Sequence, residues 1–234
     1  MIHLPRISNF TDFSPFERHG NVSLRYVDSV GDLHQPDMII LPGTKSTIAD
    51  LRWLRQCGLE AAIQKAADAG TLVFGVCGGY QMLGKTVSDP EQVEAAGITD
   101  ILGMGLLEMD TIFLGEKVQT QTTGVFDGIC GMLSVLNGIS YEGYEIHMGR
   151  SEGNLPALDG SGNVYGSYIH GIFDAPGISD AILKAICDRK GLDFGALETF
   201  DIYEYKERQY DLLADAVRSG LDMEYVYRVL NREV

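Results

Sequence analysis

The sequence VFGVCGGYQMLG, residues 73–84, decides the fold that we predict for this chain of 234 residues. An apolar strand runs into Cys77, which glycines flank, and a segment of helix-forming residues follows. Gly75, Gly78 and Gly79 leave room for a sharp strand-to-helix turn, the thiol counterpart of the serine nucleophile elbow. Such a turn lifts the sulfur to the carboxyl end of the sheet, where α/β proteins bind ligands, and the helix start favours a thiolate. Cys77 is therefore the candidate nucleophile, although an isolated cysteine is often only a core residue.

The segments before this turn predict an α/β fold with a parallel sheet. Residues 37–41, DMIIL, have the composition of a buried strand and end at a Pro-Gly loop. Residues 47–56 have helical spacing, residues 59–69 form a second helix, and residues 71–76 form the next strand. Short connections between strand, helix and strand imply a right-handed crossover. Alternation of apolar and polar residues also predicts a strand at residues 21–27.

The second half of the chain predicts shorter strands and then helices. Glycine-rich, strand-like pieces fill residues 102–169, and a helix is expected at residues 178–189. Residues 203–230 form a long amphipathic helical stretch that we expect to break near Gly220. Because we find no linker, we predict one domain over residues 1–234 with a helical C-terminal extension.

Composition excludes several classes of function. The chain has 33 acidic and 18 basic residues and a net charge of −15, which repels phosphate backbones and disfavours nucleic-acid binding. No apolar stretch reaches the ~18–20 residues that span a bilayer, and no signal-peptide core follows Met1, so we expect a cytoplasmic protein. The four cysteines form no CxxC pairs and are expected to be reduced. Apart from Cys77, we expect them to be small buried residues, namely Cys57, Cys130 and Cys187.

A histidine supplies the partner that a cysteine nucleophile needs. The segment YIHGIF, residues 168–173, puts His170 at the end of an apolar strand, where it can face the same crevice as Cys77. A single histidine is more often structural, but the pairing with an elbow favours a base. His147 also ends a strand and could face the site. We expect the remaining histidines at the surface, namely His3, His19 and His34. No spacing of possible ligands indicates a metal site.

One motif is a false match. GYQMLGKT, residues 79–86, fits the phosphate-loop pattern GxxxxGK[ST] letter for letter. Its interior residues are large and helix-compatible, and the following VSDP does not begin an apolar helix. We therefore expect no ATP site here.

Several longer segments resemble one known family. Together with the elbow they resemble the C-terminal class I glutamine amidotransferase domain of cobyric acid synthases, the glutamine-dependent amidases of cobalamin biosynthesis, over nearly the whole chain. The elbow alone indicates only the wider class, whereas the PGTKST and YEIHMGR segments make the resemblance specific. The segments are LPRISNFTDF (4–13), LPGTKSTIADL (41–51), GYEIHMGR (143–150), GSYIHGIFD (166–174) and QYDLLAD (209–215).

The resemblance implies a fold and a chemistry. The expected fold is flavodoxin-like, a three-layer αβα arrangement around a mixed, mostly parallel sheet. Cys77 would attack the glutamine carboxamide to form a thioester, and His170 would take the thiol proton and later protonate ammonia. The amides of Gly43 and Gly78 would form the oxyanion hole. The glutamine-binding side chains would be Gln81, Arg150 and His147.

Two departures from the wider pattern affect the predicted mechanism. Many class I amidotransferases have a glutamate two residues after the histidine, but that position is Ile172 here. The group that orients His170 is therefore unassigned, with Asp174 and Glu145 as candidates. The family enzymes are also about twice as long, because an N-terminal half resembling dethiobiotin synthetase uses ATP and Mg²⁺ and binds the corrinoid. We expect no cofactor in this domain and an ATP-dependent synthetase domain or subunit as its partner.

Other functions stay open at this point. The chain could be the glutaminase subunit of a complex that amidates a cell-wall precursor, although the PGTKST loop disfavours this. It could be a catalytically silent docking domain, which the retention of Cys77 and His170 disfavours. It could also hydrolyse other amides, since the nucleophile does not encode the acyl donor.

Overall fold

A four-stranded sheet carries the elbow at its centre. The computed structural model describes residues 1–94, 97, 99–151, 156–196 and 201–233. The sheet has the order β1-β2-β8-β7, in which β1, β2 and β8 are parallel and β7 is antiparallel. Its strands are β1 (Met38–Leu41), β2 (Leu72–Val76), β7 (Asp159–Ser161) and β8 (Val164–Ser167).

Parallel pairing brings three loops to one edge of this sheet. Leu41 of β1 pairs with Gly75 of β2, and Gly75 pairs with Gly166 of β8. The carboxyl ends of the three strands therefore coincide. The Pro-Gly loop, the elbow and the segment that contains His170 all leave the sheet at this edge, as the fold rule for α/β sheets requires.

Helices cover both faces of the sheet. The helices before residue 201 are α1 (Ser14–Arg18), α2 (Val30–Leu33), α3 (Thr47–Gln56), α4 (Leu59–Asp68), α5 (Gly78–Leu83) and α6 (Ile178–Lys190). Later in the chain come α7 (Ile202–Gly220) and α8 (Met223–Leu230). Side chains of β2 alternate between two cores, because successive residues of a strand face opposite ways. Phe74 packs with Ile178 and Ile182 of α6, whereas Val73 packs with residues of α3 and α4. The predicted three-layer α/β fold is therefore confirmed.

A second sheet has the order β4-β3-β5-β6. Its strands are β3 (Thr86–Ser88), β4 (Asp100–Leu102), β5 (Asp110–Val125) and β6 (Ser140–Ser151). The long antiparallel pair of β5 and β6 has an irregularity between Phe113 and Val118. A bridge between Tyr144 and His170 joins β6 to the segment after β8. This bridge brings the second sheet against the edge where the elbow lies.

Three predictions about single segments and residues were wrong. In residues 21–27 only Val27 pairs, in a bridge to Ile2, because the place beside β1 is taken by Ile2, whose amide donates to Ile40 O. The alternation there reflects half-burial of side chains rather than a strand. His19 is buried, 3.8 Å from Asp180 Oδ1, rather than at the surface. Cys130 is exposed, because it lies in the connection between β5 and β6.

The chain divides into two units, Met1–Phe200 and Asp201–Val234. The second contains α7 and α8, which Asp201 and Asp222 cap through bonds from backbone amides. These helices match the predicted extension and its break near Gly220, while the single domain stays a prediction. Across the described ranges, we find no helix with both the length and the apolar character needed to span a bilayer.

Candidate active site

The elbow at Cys77 is strained and tightly packed. Cys77 has φ 49° and ψ −108°, a backbone conformation that residues with a side chain rarely adopt and that is often found at functional sites. The flanking glycines provide space rather than unusual dihedral angles. A Cβ at Gly75 would lie 2.6 Å from the backbone nitrogen of Tyr80, and one at Gly79 would overlap Leu41 O. The turn therefore depends on backbone packed directly against backbone.

The loop after β1 lies beside the first turn of α5. A Cβ at Gly78 would be 3.2 Å from the amide nitrogen of Thr44, so the two loops adjoin. The first helical hydrogen bond of α5 runs from Gln81 N to Cys77 O. The Gly78 amide precedes it, in the turn where amides have no partner within the helix. This arrangement supports the predicted oxyanion hole of Gly43 and Gly78, which stays a prediction.

Two carboxylates, those of Asp50 and Glu94, hold the loop after β1. Asp50 is buried and accepts bonds from Thr44 Oγ1 at 2.5 Å and from Arg6 Nη1 at 2.8 Å. Glu94 caps α3, since its two oxygens accept from the amides of Thr47 and Ile48 at 2.7 Å each. Burial raises the pKa of Glu94, although these bonds oppose that shift. The loop after β1 is therefore held at Thr44 by Asp50 and at the start of α3 by Glu94.

His170 is almost completely buried and has a carboxylate partner. Its Nδ1 lies 2.7 Å from Asp12 Oδ2, and the amide of Gly171 donates to Asp12 Oδ1 at 3.1 Å. The ring of Tyr144 stacks on the imidazole with centroids 5.4 Å apart. Glu145, one of the carboxylates suggested by the sequence, instead accepts from His147 Nε2 at 3.2 Å. The carboxylate on Nδ1 is that of Asp12, not of Asp174 or Glu145.

The surroundings of His170 favour its charged form. Burial by itself lowers the pKa of His170, but hydrogen bonds to Asp12 and Cys77 and their charges raise it from 6.5 to about 9. An imidazolium beside the sulfur can therefore exist at neutral pH and donate a proton to a departing nitrogen. Because the folded-state pKa is the higher one, this pairing stabilises the fold fully below pH 6.5. The stabilisation is lost as pH rises through about 9.

Cys77 and His170 open into one cavity of about 310 Å³. Gln81 and His147 also line it, and its charged lining residues include Lys45, Glu94 and Lys117. A larger cavity of about 450 Å³ lies elsewhere, between Met1–Val27 and α6, and has neither Cys77 nor His170 on its walls. We place the candidate site in the smaller cavity because it contains the reactive groups. Among the described residues, no group of His, Cys, Asp and Glu could hold a metal ion.

A family model matches most of the chain. Residues 1–178 match the CobB/CobQ-like glutamine amidotransferase domain. The chain belongs to this family. This confirms the prediction of a glutamine amidotransferase, and the elbow with Cys77 and the segment with His170 both lie inside the matched range.

Relatives of this amidotransferase carry a second half. A cobyric acid synthase from Lachnoclostridium phytofermentans is 49% identical over 259 residues, which cover 100% of this chain and 50% of that protein. One from Ruminiclostridium cellulolyticum is 45% identical and covers 100% of this chain and 49% of its own length. The chain therefore spans about half the length of these relatives. The fold is similar to that of one chain in a structure of PurLQS from Thermotoga maritima, with a TM-score of 0.54 and 19% identity over 81% of this chain and 96% of that one.

The predicted glutamine-binding residues of the amidotransferase have different positions. Gln81 lies on the cavity wall and is buried, bonded to Thr47 Oγ1 at 2.9 Å. His147 also lines the cavity and stacks on Tyr168 with centroids 4.0 Å apart. Arg150 is exposed, donates to Glu116 Oε2 at 2.7 Å, and is not among the residues that line the cavity. The geometry therefore gives the binding role of Arg150 no support, and all three roles stay predictions.

Sequence reasoning missed three charged groups of this site. Asp12 lies in a segment that reads as irregular, although its SNFTDF motif is part of the family resemblance. Glu94 and Lys117 are in segments with no recognisable catalytic pattern. Only the resemblance of the 4–13 segment could have drawn attention to Asp12, because no local pattern relates it to His170.

The letters of the phosphate-loop match form a different structure. Gly79–Leu83 lie within α5 and are buried, and Thr86 begins β3. Lys85 is exposed and pairs with Glu108. A phosphate loop would instead wrap its backbone amides around the anion before the helix starts. The absence of an ATP site here stays a prediction, which this local structure supports.

Proposed function

We propose that this chain is the glutaminase part of an enzyme of the cobyric acid synthase kind. It would hydrolyse glutamine and supply ammonia for ATP-dependent amidation of corrinoid carboxylates. The observation that carries the proposal is Cys77 at a strained elbow, in one cavity with a carboxylate-bound His170. The similarity of the whole chain to about half of each of two cobyric acid synthases favours this function over a cell-wall amidating complex. Retention of both reactive residues disfavours a silent docking domain.

The proposed reaction has two halves. The Cys77 sulfur adds to the side-chain carbonyl of glutamine, while the Gly43 and Gly78 amides face the oxyanion. The imidazolium of His170 protonates the nitrogen, the C–N bond breaks, and ammonia leaves a γ-glutamyl thioester. Neutral His170 then takes a proton from water, which attacks the thioester and releases glutamate and the thiol. The sum is glutamine plus water giving glutamate plus ammonia.

Charges on the cavity wall suit the backbone end of glutamine. The free amino acid carries an α-carboxylate and an α-ammonium group. Lys45 and Lys117 provide positive charge for the carboxylate, and Glu94 provides negative charge for the ammonium. Gln81 and His147 add polar groups deeper in the wall. We assign recognition of the substrate to this lining rather than to Arg150.

A thiol-reactive glutamine analogue, such as a chloroketone, should label Cys77 alone. The analogue binds in the glutamine cavity, which contains none of the other cysteines. Mass spectrometry after proteolysis should place the label on Cys77, and an excess of glutamine should protect it. Iodoacetamide provides the control, because it should label exposed Cys130 whether or not glutamine is present. Labelling mainly at Cys57, Cys130 or Cys187 would contradict the site.

Coupling to a synthetase can be tested in a fusion. The chain would replace the matching half of the Lachnoclostridium phytofermentans cobyric acid synthase, whose other half it does not cover. With ATP, Mg²⁺ and a corrinoid diamide, the fusion should form amide from glutamine. The isolated chain should form none, because activation of a carboxylate needs the nucleotide site that we expect in the other half.

The matched control is the same fusion with Cys77→Ala. It should form amide only when free ammonia is added, because its synthetase half is unchanged. A wild-type fusion that works with ammonia but not with glutamine would contradict ammonia supply by this chain. Amidation of the corrinoid by the isolated chain would contradict the division of labour.

A further inference from the structure

Asp12 occupies the place where a triad acid acts, yet it comes from the far end of the chain. It lies on the 3-10 turn Phe10–Phe13, and its side chain is 4% exposed. One oxygen accepts from His170 Nδ1 at 2.7 Å and the other accepts from the Gly171 amide at 3.1 Å. Two bonds from neighbouring residues fix the carboxylate plane relative to the imidazole, which a single contact would leave free to rotate.

This contact sets the orientation of the base. A bond from Nδ1–H to a carboxylate selects the tautomer whose Nε2 is available for proton transfer. We call residues 42–46, the loop between β1 and α3 that contains Gly43, the oxyanion loop. The imidazole edge at Cε1 faces this loop, since a Cβ at Gly43 would be 3.0 Å from Cε1. Nε2 is then the ring nitrogen left to serve Cys77, since both residues line the same cavity. The buried negative charge also stabilises the imidazolium formed when the thiol ionises.

Many class I amidotransferases have the orienting glutamate two residues after the histidine, but an apolar residue occupies that position here. Ile172 stands two residues after His170, is 1% exposed and packs in the hydrophobic core. A carboxylate there would be buried among apolar side chains at a high cost. The N-terminal segment instead supplies the carboxylate, with Asp12 Oδ2 lying 2.7 Å from His170 Nδ1.

The segment that carries Asp12 also holds the other parts of the site. We call residues 4–13 the N-terminal strap. Ser8 N donates to Gly43 O at 2.9 Å, which ties the strap to the oxyanion loop. Asn9 Nδ2 donates at 3.0 Å to the hydroxyl of Tyr144, the ring that stacks on His170. The strap therefore fixes the base, its stacking partner and the oxyanion loop relative to one another.

We propose that Asp12 is a positioning residue that completes a Cys77–His170–Asp12 triad. It holds His170 in the productive tautomer and orientation, and the N-terminal strap keeps this pair in register with the oxyanion loop. This inference rests on the proposed glutamine hydrolysis. It gives the site an orienting acid of its own, supplied from within the chain.

The test compares Asp12→Asn with Asp12→Glu in the fusion enzyme. Asp12→Asn keeps the volume but loses the charge and can stabilise the wrong tautomer. We expect kcat for glutamine hydrolysis to fall about 10²- to 10⁴-fold and KM to change much less. The basic limb of the kcat/KM profile should move to lower pH, because the pKa of His170 loses a group that raises it. Asp12→Glu, which keeps the charge, should recover part of kcat.

Controls separate positioning from stability and from substrate choice. Asp180→Asn removes a different carboxylate beside a buried histidine, His19, outside the cavity. It should leave kcat and the pH profile unchanged. The glutamine analogue should still label Cys77 completely in Asp12→Asn, though more slowly. Failure of wild-type labelling would count against glutamine hydrolysis itself, whereas an active wild type with an equally active Asp12→Asn variant would overturn only the role of Asp12.

A measurement on the unmodified protein covers the case in which Asp12→Asn does not fold. ¹⁵N NMR of labelled histidine reports which ring nitrogen of His170 keeps its proton as pH rises. Retention of the proton on Nδ1 is the expected result. A ring that keeps its proton on Nε2 would overturn the proposal, because that tautomer cannot donate to Asp12.

Discussion

Cys77→Ala should abolish glutamine hydrolysis, lowering kcat by at least about 10³-fold, while the protein stays folded. The loss is large because the sulfur forms the covalent thioester and no other cysteine lines the cavity. The fold should persist because the turn depends on space at the glycines rather than on the thiol. Release of glutamate and ammonia measures the activity, and thermal unfolding followed by circular dichroism measures the fold.

Cys77→Ser should be almost as inactive, since a hydroxyl is a far weaker nucleophile beside an imidazolium. The matched control is Cys130→Ser, which changes an exposed cysteine outside the cavity and should keep full activity. Full glutaminase activity in Cys77→Ala would end the assignment of the nucleophile. An unfolded Cys77→Ala protein would instead show that the sulfur has a structural role that the packing does not indicate.

Gly79→Ala should cause the largest loss of stability of any glycine substitution at the elbow. The added Cβ would overlap Leu41 O, a backbone atom of the buried strand β1, which cannot move aside as a flexible side chain could. We expect the free energy of unfolding to fall by about 3 kcal/mol or more. Better helix propensity would offset at most about 1 kcal/mol of this. Urea denaturation at pH 7 measures the change, and any folded fraction should have a lower kcat because the elbow shifts.

Gly20→Ala provides the control for this glycine. No atom lies within 4 Å of a Cβ at Gly20, and its backbone dihedral φ lies outside the positive region. We expect its free energy of unfolding to change by less than about 1 kcal/mol. Equal stability of Gly79→Ala and Gly20→Ala would contradict the close approach of α5 to β1, and with it the geometry that presents Cys77.

Within the N-terminal strap, the positions of Arg6 and Asp12 link the proposals about mechanism. Arg6 bonds Asp50, which in turn holds Thr44 next to Gly43. Asp12 bonds His170, whose Cε1 would lie 3.0 Å from a Cβ at Gly43. A movement of the strap would therefore disturb the oxyanion loop and the base together.

Local signals in the sequence predicted most of the helices and strands of the first sheet and the two candidate reactive residues. The bounds of α3, residues 47–56, and the break near Gly220 follow from hydrophobic spacing and glycine, which act over a few residues. The elbow around Cys77 is likewise local, because strand, glycines and helix are contiguous. His170 could be found because residues that follow the carboxyl ends of parallel strands lie at the edge of the sheet where ligands bind.

Only the tertiary structure decided which distant groups meet. Asp12 and His170 are 158 positions apart, and Glu94 caps a helix that begins 47 positions before it. No periodicity encodes such pairs, because their contact depends on how separate elements pack. The same reason explains the errors at residues 21–27, His19 and Cys130. Local alternation and polarity do not show which other segments pack against a residue. The sequence by itself predicted a glutamine amidotransferase with Cys77 and His170 as its candidate reactive residues, and the packing of the N-terminal strap decided which carboxylate contacts His170.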